Sequence, residues 1–293
     1  MTTRTARAAA ILAVAGATLT TGCGIARKST VGMMIPVIDN TLDSSYRNGD
    51  LQLVEDGIPG NLILIDGLIE TSPGNDRLLE IATQLYFSYA VGFVEDEDPE
   101  RAEGLYRKAM RYGFMRYPEL SPDKYVGRGA DSTFAATLDE YDADDVPGLL
   151  WLGGAWGSVV KMNLGDSSML TQLLLVEMLT ERAVALDPNY LYGMPRLMLG
   201  TVYALRPPAF GGDSAKALEQ FEAGFAVSDR KFLMMHLFFA RYYCRQIFDE
   251  ELFDQTLAEL RAADPEALPD VLLLNRMAQQ QGQYLEAVRD ELF

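Results

Sequence analysis

Apolar residues recur at intervals of three and four positions from Pro36 to the end of the 293-residue chain. This spacing places them on one face of an α-helix. The sequence lacks runs of alternating apolar and polar residues closed by hairpin turns, which are typical of half-buried strands. The pattern therefore predicts an all-α fold.

Polar residues mark the points where these helices begin. Asn75, Asp98 and Asp213 each precede an apolar periodic segment, and such side chains accept hydrogen bonds from the free N–H groups of a first helical turn. The caps and the prolines divide the chain into about a dozen helices joined by short links. Longer links are expected over 118–131 and 207–213, where prolines and glycines gather.

The helices pair in a pattern that resembles tetratricopeptide repeats. Small residues in that pattern allow the two helices of a pair to approach, and large residues fill the space between pairs. Four stretches carry parts of it: Leu85, Tyr86, Tyr89 with Ala102, Tyr106, Ala109; Leu152, Gly153, Trp156 with Ala183, Pro188; Leu199, Gly200, Tyr203 with Ala217, Phe221, Gly224; and Phe239, Ala240, Tyr243 with Phe253, Leu257, Leu260, Pro265. We expect about four irregular hairpins in an α-solenoid over 36–293. An irregular helical bundle is the alternative.

The amino-terminal residues have the zones of a secretory signal. Arg4 and Arg7 come first, an apolar stretch follows over 8–19, and small residues lead to Cys23. A cysteine at this point is the attachment site of lipid in lipoprotein precursors. The sequence therefore predicts a lipoprotein signal peptide over 1–22 and a lipid, such as palmitate, on Cys23.

Residues 23–35 are predicted to form the anchor and linker. Thr20 occupies the place where lipoprotein signals usually carry leucine, so an ordinary signal peptide with an incidental Cys23 is the alternative. Gly24 follows the cysteine where lipoproteins kept at the inner membrane often have aspartate, which favours periplasmic attachment to the outer membrane. The apolar stretch over 8–19 is shorter than the roughly 20 residues of a membrane-spanning helix, so attachment is expected through lipid alone.

Charge and cysteine content narrow the classes of partner. The net charge is −17, spread among the helices, and such a surface repels nucleic acid. With Cys23 lipidated, only Cys244 remains, so no internal disulfide can form.

Motifs for catalysis and cofactors are absent from the sequence. His236 is the only histidine and has no second histidine or reactive cysteine with which to bind zinc, so we interpret it as a satisfied helical residue. The acidic runs 95–98, 139–145 and 249–251 lack the spacing of a calcium loop and are interpreted as solvated links. No phosphate-binding loop or Gly-x-Ser-x-Gly elbow is present. The sequence predicts no cofactor, no metal and no enzyme, although a lytic enzyme with two facing acids remains an alternative.

Aromatic residues are abundant at positions that stacked hairpins turn inward. Trp151, Trp156 and Tyr203 are candidate contacts with a ligand or partner, and Phe210 is another, on the loop Pro207–Asp213. Any one of them fits simple core packing. As a set they permit a hydrophobic cavity or a partner groove.

Several strings resemble the T component associated with some tripartite ATP-independent periplasmic (TRAP) transporters. They are Gly57-Ile58-Pro59-Gly60-Asn61-Leu62, Leu64-Ile65-Asp66-Gly67-Leu68, Tyr89-Ala90, Gly92-Phe93-Val94-Glu95-Asp96, Pro208-Ala209-Phe210-Gly211-Gly212-Asp213, Lys216-Ala217 with Phe221, and the ending from Tyr242-Tyr243 to Asp264.

The resemblance implies a tetratricopeptide-like periplasmic lipoprotein. It implies a partner, the periplasmic solute-binding subunit of a TRAP transporter, as well as a homotrimer and a hydrophobic cleft for an apolar ligand. We therefore expect a lipid-anchored accessory protein of a TRAP-type system. The alternative is a repeat scaffold lipoprotein for envelope or outer-membrane assembly.

Overall fold

A computed structural model describes residues 31–125, 131–205 and 212–293 of the chain. These residues form helices and no strand, which confirms the predicted all-α class. The helices are α1 over 31–46, α2 Leu51–Thr71, α3 Asp76–Tyr89, α4 Pro99–Arg116, α5 Asp131–Leu138, α6 Val146–Met162, α7 Ser167–Leu186, α8 Tyr190–Leu205, α9 Ser214–Val227, α10 Leu233–Phe238, α11 Glu250–Ala262, α12 Leu272–Ala287 and α13 Arg289–Leu292. Two π-helical segments, Ala90–Val94 and Phe239–Cys244, continue α3 and α10.

The predicted helix starts are confirmed by their caps. The side chains of Asn75, Asp98 and Asp213 each accept a hydrogen bond from the backbone N–H three residues later, at 3.0, 3.1 and 3.0 Å. Each bond satisfies one N–H group of a first turn that has no carbonyl partner within its own helix. The polar residues therefore determine where α3, α4 and α9 begin.

Consecutive helices pack in pairs, in the order that the sequence predicts. α3 packs on α4, α6 on α7, α8 on α9, and α10 on α11. The small residues act as expected: a Cβ added at Gly200 would lie 3.0 Å from the Phe221 ring, so glycine lets α9 approach α8 closely. The short helix α5 is inserted between the first two pairs and packs on α7.

The first helices of the pairs form an inner row. α3 packs on α6, α6 on α8, α8 on α10, and α10 on α12. The row then returns to its start, because the Gln281 amide of α12 donates hydrogen bonds to the carbonyls of Val91 at 2.8 Å and Gly92 at 3.0 Å. The inner helices thus enclose a central space.

The helices α1 and α2 cover one side of this ring. Asp66 of α2 accepts hydrogen bonds from the hydroxyls of Tyr86 at 2.9 Å and Tyr112 at 2.7 Å, which joins α2 to α3 and α4. In α1 only Val31 is buried, and the helix is held by its half-buried residues and by a bond from the Gln84 amide to the Tyr46 hydroxyl at 2.6 Å. No helix of the described chain is long and apolar enough to cross a membrane.

Candidate functional site

The ring of inner helices encloses an apolar cavity of about 80 Å³. Its wall is formed by side chains of α3, α6, α7, α8, α10, α12 and the two π-helical segments, and Tyr46 of α1 closes one side. The aromatic and large apolar residues of the wall are Tyr46, Phe87, Val91, Trp151, Met194, Leu197, Met198, Val202, Leu205, Met234, Phe238, Tyr242, Leu274 and Met277. A cavity with so few polar atoms suits an apolar molecule.

The cavity exists because α6 turns small residues toward it. Gly154, Gly157 and Ser158 of α6 all line the space. A Cβ at Gly154 would lie 2.8 Å from the Phe87 ring and 2.9 Å from the Met198 methyl group, so a larger residue would intrude on the wall. Four methionines lie opposite, and their flexible thioethers can adjust to the shape of a ligand.

One end of the cavity carries a cation. Lys161 is the only charged side chain among the described residues of the wall. Its ammonium group donates to the Glu95 carboxylate and, at 3.3 Å, to the Tyr242 hydroxyl, and the Tyr106 hydroxyl also donates to Glu95. Although burial alone would raise the pKa of Glu95, Lys161 and Tyr106 hold that pKa below its ordinary value. The pair therefore stays ionised at neutral pH.

A second ion pair lies on the adjoining elements. Arg241 forms two hydrogen bonds with the Asp96 carboxylate, at 3.0 and 2.8 Å, and only 8% of its side chain is exposed. Both pairs start from the end of the π-helical segment Ala90–Val94, which Glu95 and Asp96 follow. Glu95 is thereby joined to Lys161 of α6, and Asp96 is joined to Arg241 of the segment Phe239–Cys244. Two cations thus balance two carboxylates beside the cavity.

The interpretation of 95–98 as a solvated link is wrong for its first two residues, because Glu95 is paired with Lys161 and Asp96 with the buried Arg241. Only 12% of the Glu95 side chain is exposed, because its Lys161 partner draws it against α6. The sequence held a signal for this placement: Glu95 lies four residues after Val91, so it continues the helical face that lines the cavity.

Of the predicted contact residues that the structure describes, Trp151 alone lies in the cavity wall. Its ring is 6.0 Å from the Phe87 ring, and the residue is 3% exposed. Its indole Nε1 is buried without a hydrogen-bond partner. Buried donors in native proteins are rarely left unpaired, so this atom calls for an explanation.

Two of the other predicted contact residues, Trp156 and Tyr203, lie outside the cavity wall. Trp156 is fully buried in an outer core cluster between α6 and α7, and its Nε1 donates to Gln172 at 2.8 Å. Tyr203 is buried too, and its hydroxyl donates to Glu181 at 2.6 Å. Phe210 and Cys23 lie outside the described residues, as does the predicted signal peptide.

The sequence pattern does not predict three of the wall residues, Tyr46, Phe87 and Phe238. Periodicity shows which residues of a helix are apolar, but it does not show which of them face a central space instead of the core. Tyr46 also lines a second apolar groove of about 130 Å³ between α1, α2 and α3, and Ser88 is shared between the two spaces. Tyr46 therefore separates the groove from the central cavity.

His236 is a buried core residue outside the cavity wall. It is 2% exposed, and its ring lies 4.7 Å from the Phe225 ring, with Nε2 3.7 Å from the Glu259 carboxylate. The sequence predicts a satisfied histidine, but Nδ1 has no hydrogen-bond partner among the described residues. The prediction is therefore wrong for this nitrogen. Burial and the nearby Arg230 lower the pKa of His236 to about 4.

This lowered pKa predicts a dependence of stability on pH. The unfolded chain takes up the proton near pH 6.5, whereas the folded chain takes it up only near pH 4. The stabilisation is therefore fully present above about pH 6.5 and is lost as the pH falls toward about 4, by about 3 kcal/mol. Urea unfolding of wild type and His236→Leu across this range measures the difference. Parallel curves for the two proteins would contradict the assignment, since carboxylates titrate in both.

Comparison with known proteins gives two matches. A family model described as TRAP transporter T-component matches residues 47–293, a range that contains α2 to α13. An uncharacterized protein of Treponema pallidum (strain Nichols) is 25% identical over 310 residues, an alignment that covers 96% of each chain. The matched range includes every element of the inner ring.

Proposed function

This chain belongs to the TRAP transporter T-component family, and on that premise we propose that its central cavity holds a hydrophobic small molecule for the transport system. The family is a transport accessory family and not an enzyme family, and its members are membrane-associated periplasmic proteins. The observation that carries the proposal is the apolar cavity inside the ring of inner helices.

The apolar wall of the cavity supports a small apolar ligand. Dry cavities lined by aliphatic and aromatic side chains bind molecules such as benzene, because the ligand leaves water and gains dispersion contacts with the wall. The methionines of α8, α10 and α12 allow the space of about 80 Å³ to widen around a somewhat larger molecule. Tyr46, between the cavity and the outer groove, lies on a route by which such a molecule can enter.

Filling the cavity should abolish ligand binding. Thr201 of α8 lines the wall, and its hydroxyl only donates to the Leu197 carbonyl of its own helix. We expect Thr201→Phe to weaken the binding of a hydrocarbon such as cumene by at least about tenfold, at a cost of about 1–3 kcal/mol in stability from overpacking. Isothermal titration of the purified proteins with cumene measures the change.

Thr71→Phe is the matched control for this substitution. Thr71 is exposed at the end of α2, and its hydroxyl makes the same bond, to the carbonyl four residues earlier. Its affinity for cumene should equal that of wild type. Equal affinity of wild type and Thr201→Phe would show that the cavity is not the binding site.

The proposed protein partner is the periplasmic solute-binding subunit of a TRAP transporter. Family membership supports this partner, because a T component works with the transporter system. The acidic charge of −17 would steer a partner with a basic docking face. Affinity capture of the chain from membranes, under mild conditions that preserve weak complexes, should recover a solute-binding subunit. Repeated capture without one would count against docking.

We also propose the lipid anchor at Cys23 and assembly as a homotrimer. The anchor is supported by the signal over 1–22, and Cys23→Ser should move the protein from the membrane to the soluble fraction.

Assembly as a homotrimer is supported by exposed apolar side chains on α1 and α2, namely Met33, Val37, Leu53, Ile63 and Leu64. Sedimentation equilibrium should give three times the mass of the chain, and a monomer would exclude the trimer.

A further inference from the structure

Two hydrogen-bond donors in the cavity wall have capacity that no described protein atom uses. The Trp151 indole N–H has no hydrogen-bond partner among the residues that the structure describes. The Lys161 ammonium has three N–H groups, and its hydrogen bonds to Glu95 and Tyr242 engage two of them. The wall can therefore donate hydrogen bonds to a molecule in the cavity.

The two threonine hydroxyls of the wall contrast with these donors. Thr180 donates to the Val176 carbonyl at 2.9 Å, and Thr201 donates to the Leu197 carbonyl at 2.8 Å. Each hydroxyl proton is thus engaged within its own helix. A ligand that pairs with the free N–H groups of the wall therefore needs a hydrogen-bond acceptor.

The charges beside the cavity disfavour an acceptor that is an anion. Lys161 is paired with Glu95, and Arg241 is paired with Asp96 through two hydrogen bonds. A carboxylate placed beside Lys161 would add a third negative charge to two balanced pairs in a poorly solvated site. Burial of such an unpaired charge is strongly unfavourable.

We infer that the central cavity selects an apolar molecule that carries one uncharged oxygen acceptor, such as a ketone or ester carbonyl, and discriminates against the corresponding carboxylate. This inference rests on the proposed function of the cavity. In this inference the oxygen accepts a hydrogen bond from the Trp151 N–H, while the hydrocarbon part occupies the methionine-lined space. Selection comes from pairing the Trp151 N–H, which no other described atom pairs.

Three molecules of the same size and shape test the inference on the full chain. Acetophenone has a neutral carbonyl, cumene has a methyl group in place of the oxygen, and benzoate has a charged oxygen in place of the methyl group. We expect acetophenone to bind at least about tenfold more tightly than benzoate. We expect Trp151→Phe to weaken acetophenone about three- to tenfold while cumene changes less than about twofold.

Trp156→Phe is the matched control, because Trp156 also lies on α6 but bonds Gln172 outside the cavity. It should leave the affinity for acetophenone unchanged. Equal losses of acetophenone and cumene in Trp151→Phe, or benzoate that binds as tightly as acetophenone, would overturn the inference and leave the apolar cavity in place. If neither cumene nor acetophenone binds wild type, the inference and the proposed function both fail.

Discussion

Substitution of Lys161 by methionine should lower the free energy of unfolding by about 3–5 kcal/mol. Only 17% of the Lys161 side chain and 12% of the Glu95 side chain are exposed, so the substitution leaves a carboxylate in a poorly solvated site without its cation. Burial alone would lower the pKa of Lys161, but its contacts with Tyr242 and Glu95 raise that pKa above the ordinary value. Lys161 is therefore protonated at neutral pH, and the substitution removes a whole positive charge. Urea unfolding at neutral pH measures the loss.

Two further variants separate the charge effect from a general loss of packing. Lys231→Met removes a lysine whose partner, Asp229, is 88% exposed, and it should change stability by less than about 1 kcal/mol. The double variant Lys161→Met with Glu95→Gln removes both charges and should recover part of the stability. A Lys161→Met protein as stable as wild type would show that the ion pair does not stabilise this end of the cavity.

Asn275→Leu should also destabilise the fold by about 3 kcal/mol or more. Asn275 is fully buried; its side-chain oxygen accepts from the Leu233 N–H at 2.8 Å, and its amide donates to the carbonyls of Lys231 and Pro265, both at 3.1 Å. The side chain therefore ties α12 to the start of α10 and to the link after α11. Leucine fills a similar volume but leaves these three backbone groups without their partner.

The control for this substitution is Asn40→Leu on the exposed face of α1. It should change the free energy of unfolding by less than about 0.5 kcal/mol. Thermal unfolding monitored by circular dichroism compares the three proteins. If Asn275→Leu melts together with wild type, water must satisfy the groups that we assign to Asn275.

Local features of the fold were predictable from the sequence, because local chemistry determines them. The caps at Asn75, Asp98 and Asp213 satisfy N–H groups only three residues away, and the small residue Gly200 marks a close helix pair. The return of α12 to α3 was not predictable, because it depends on contacts between Gln281 and residues about 190 positions earlier. Without that contact, the stacked hairpins would not enclose the central space.

The candidate site was predictable only in part. Trp151 was identified from its aromatic character, whereas Glu95 and Lys161 were not, because each looks like a surface residue until its partner is known. They lie 66 positions apart and meet only after α3 and α6 pack side by side. The pattern of residues within one helix cannot predict a buried ion pair of this kind, because the partner lies on another helix.

Family membership also separates the functional hypotheses. The match over 47–293 favours a transport accessory over an envelope scaffold or a lytic enzyme, because the T component works with a transporter. The apolar cavity agrees with this choice, since a scaffold that binds peptide segments needs a polar groove of peptide size. The cavity lies at the centre of the ring, and the proposed function depends on it.

Native mass spectrometry of the protein purified from membranes tests whether the central cavity holds an apolar ligand. The folded wild type should carry an added hydrophobic molecule that leaves on denaturation, and Thr201→Phe, prepared in the same way, should lack it. Identical masses for wild type and Thr201→Phe, folded and denatured, would contradict the claim that the central cavity holds an apolar ligand.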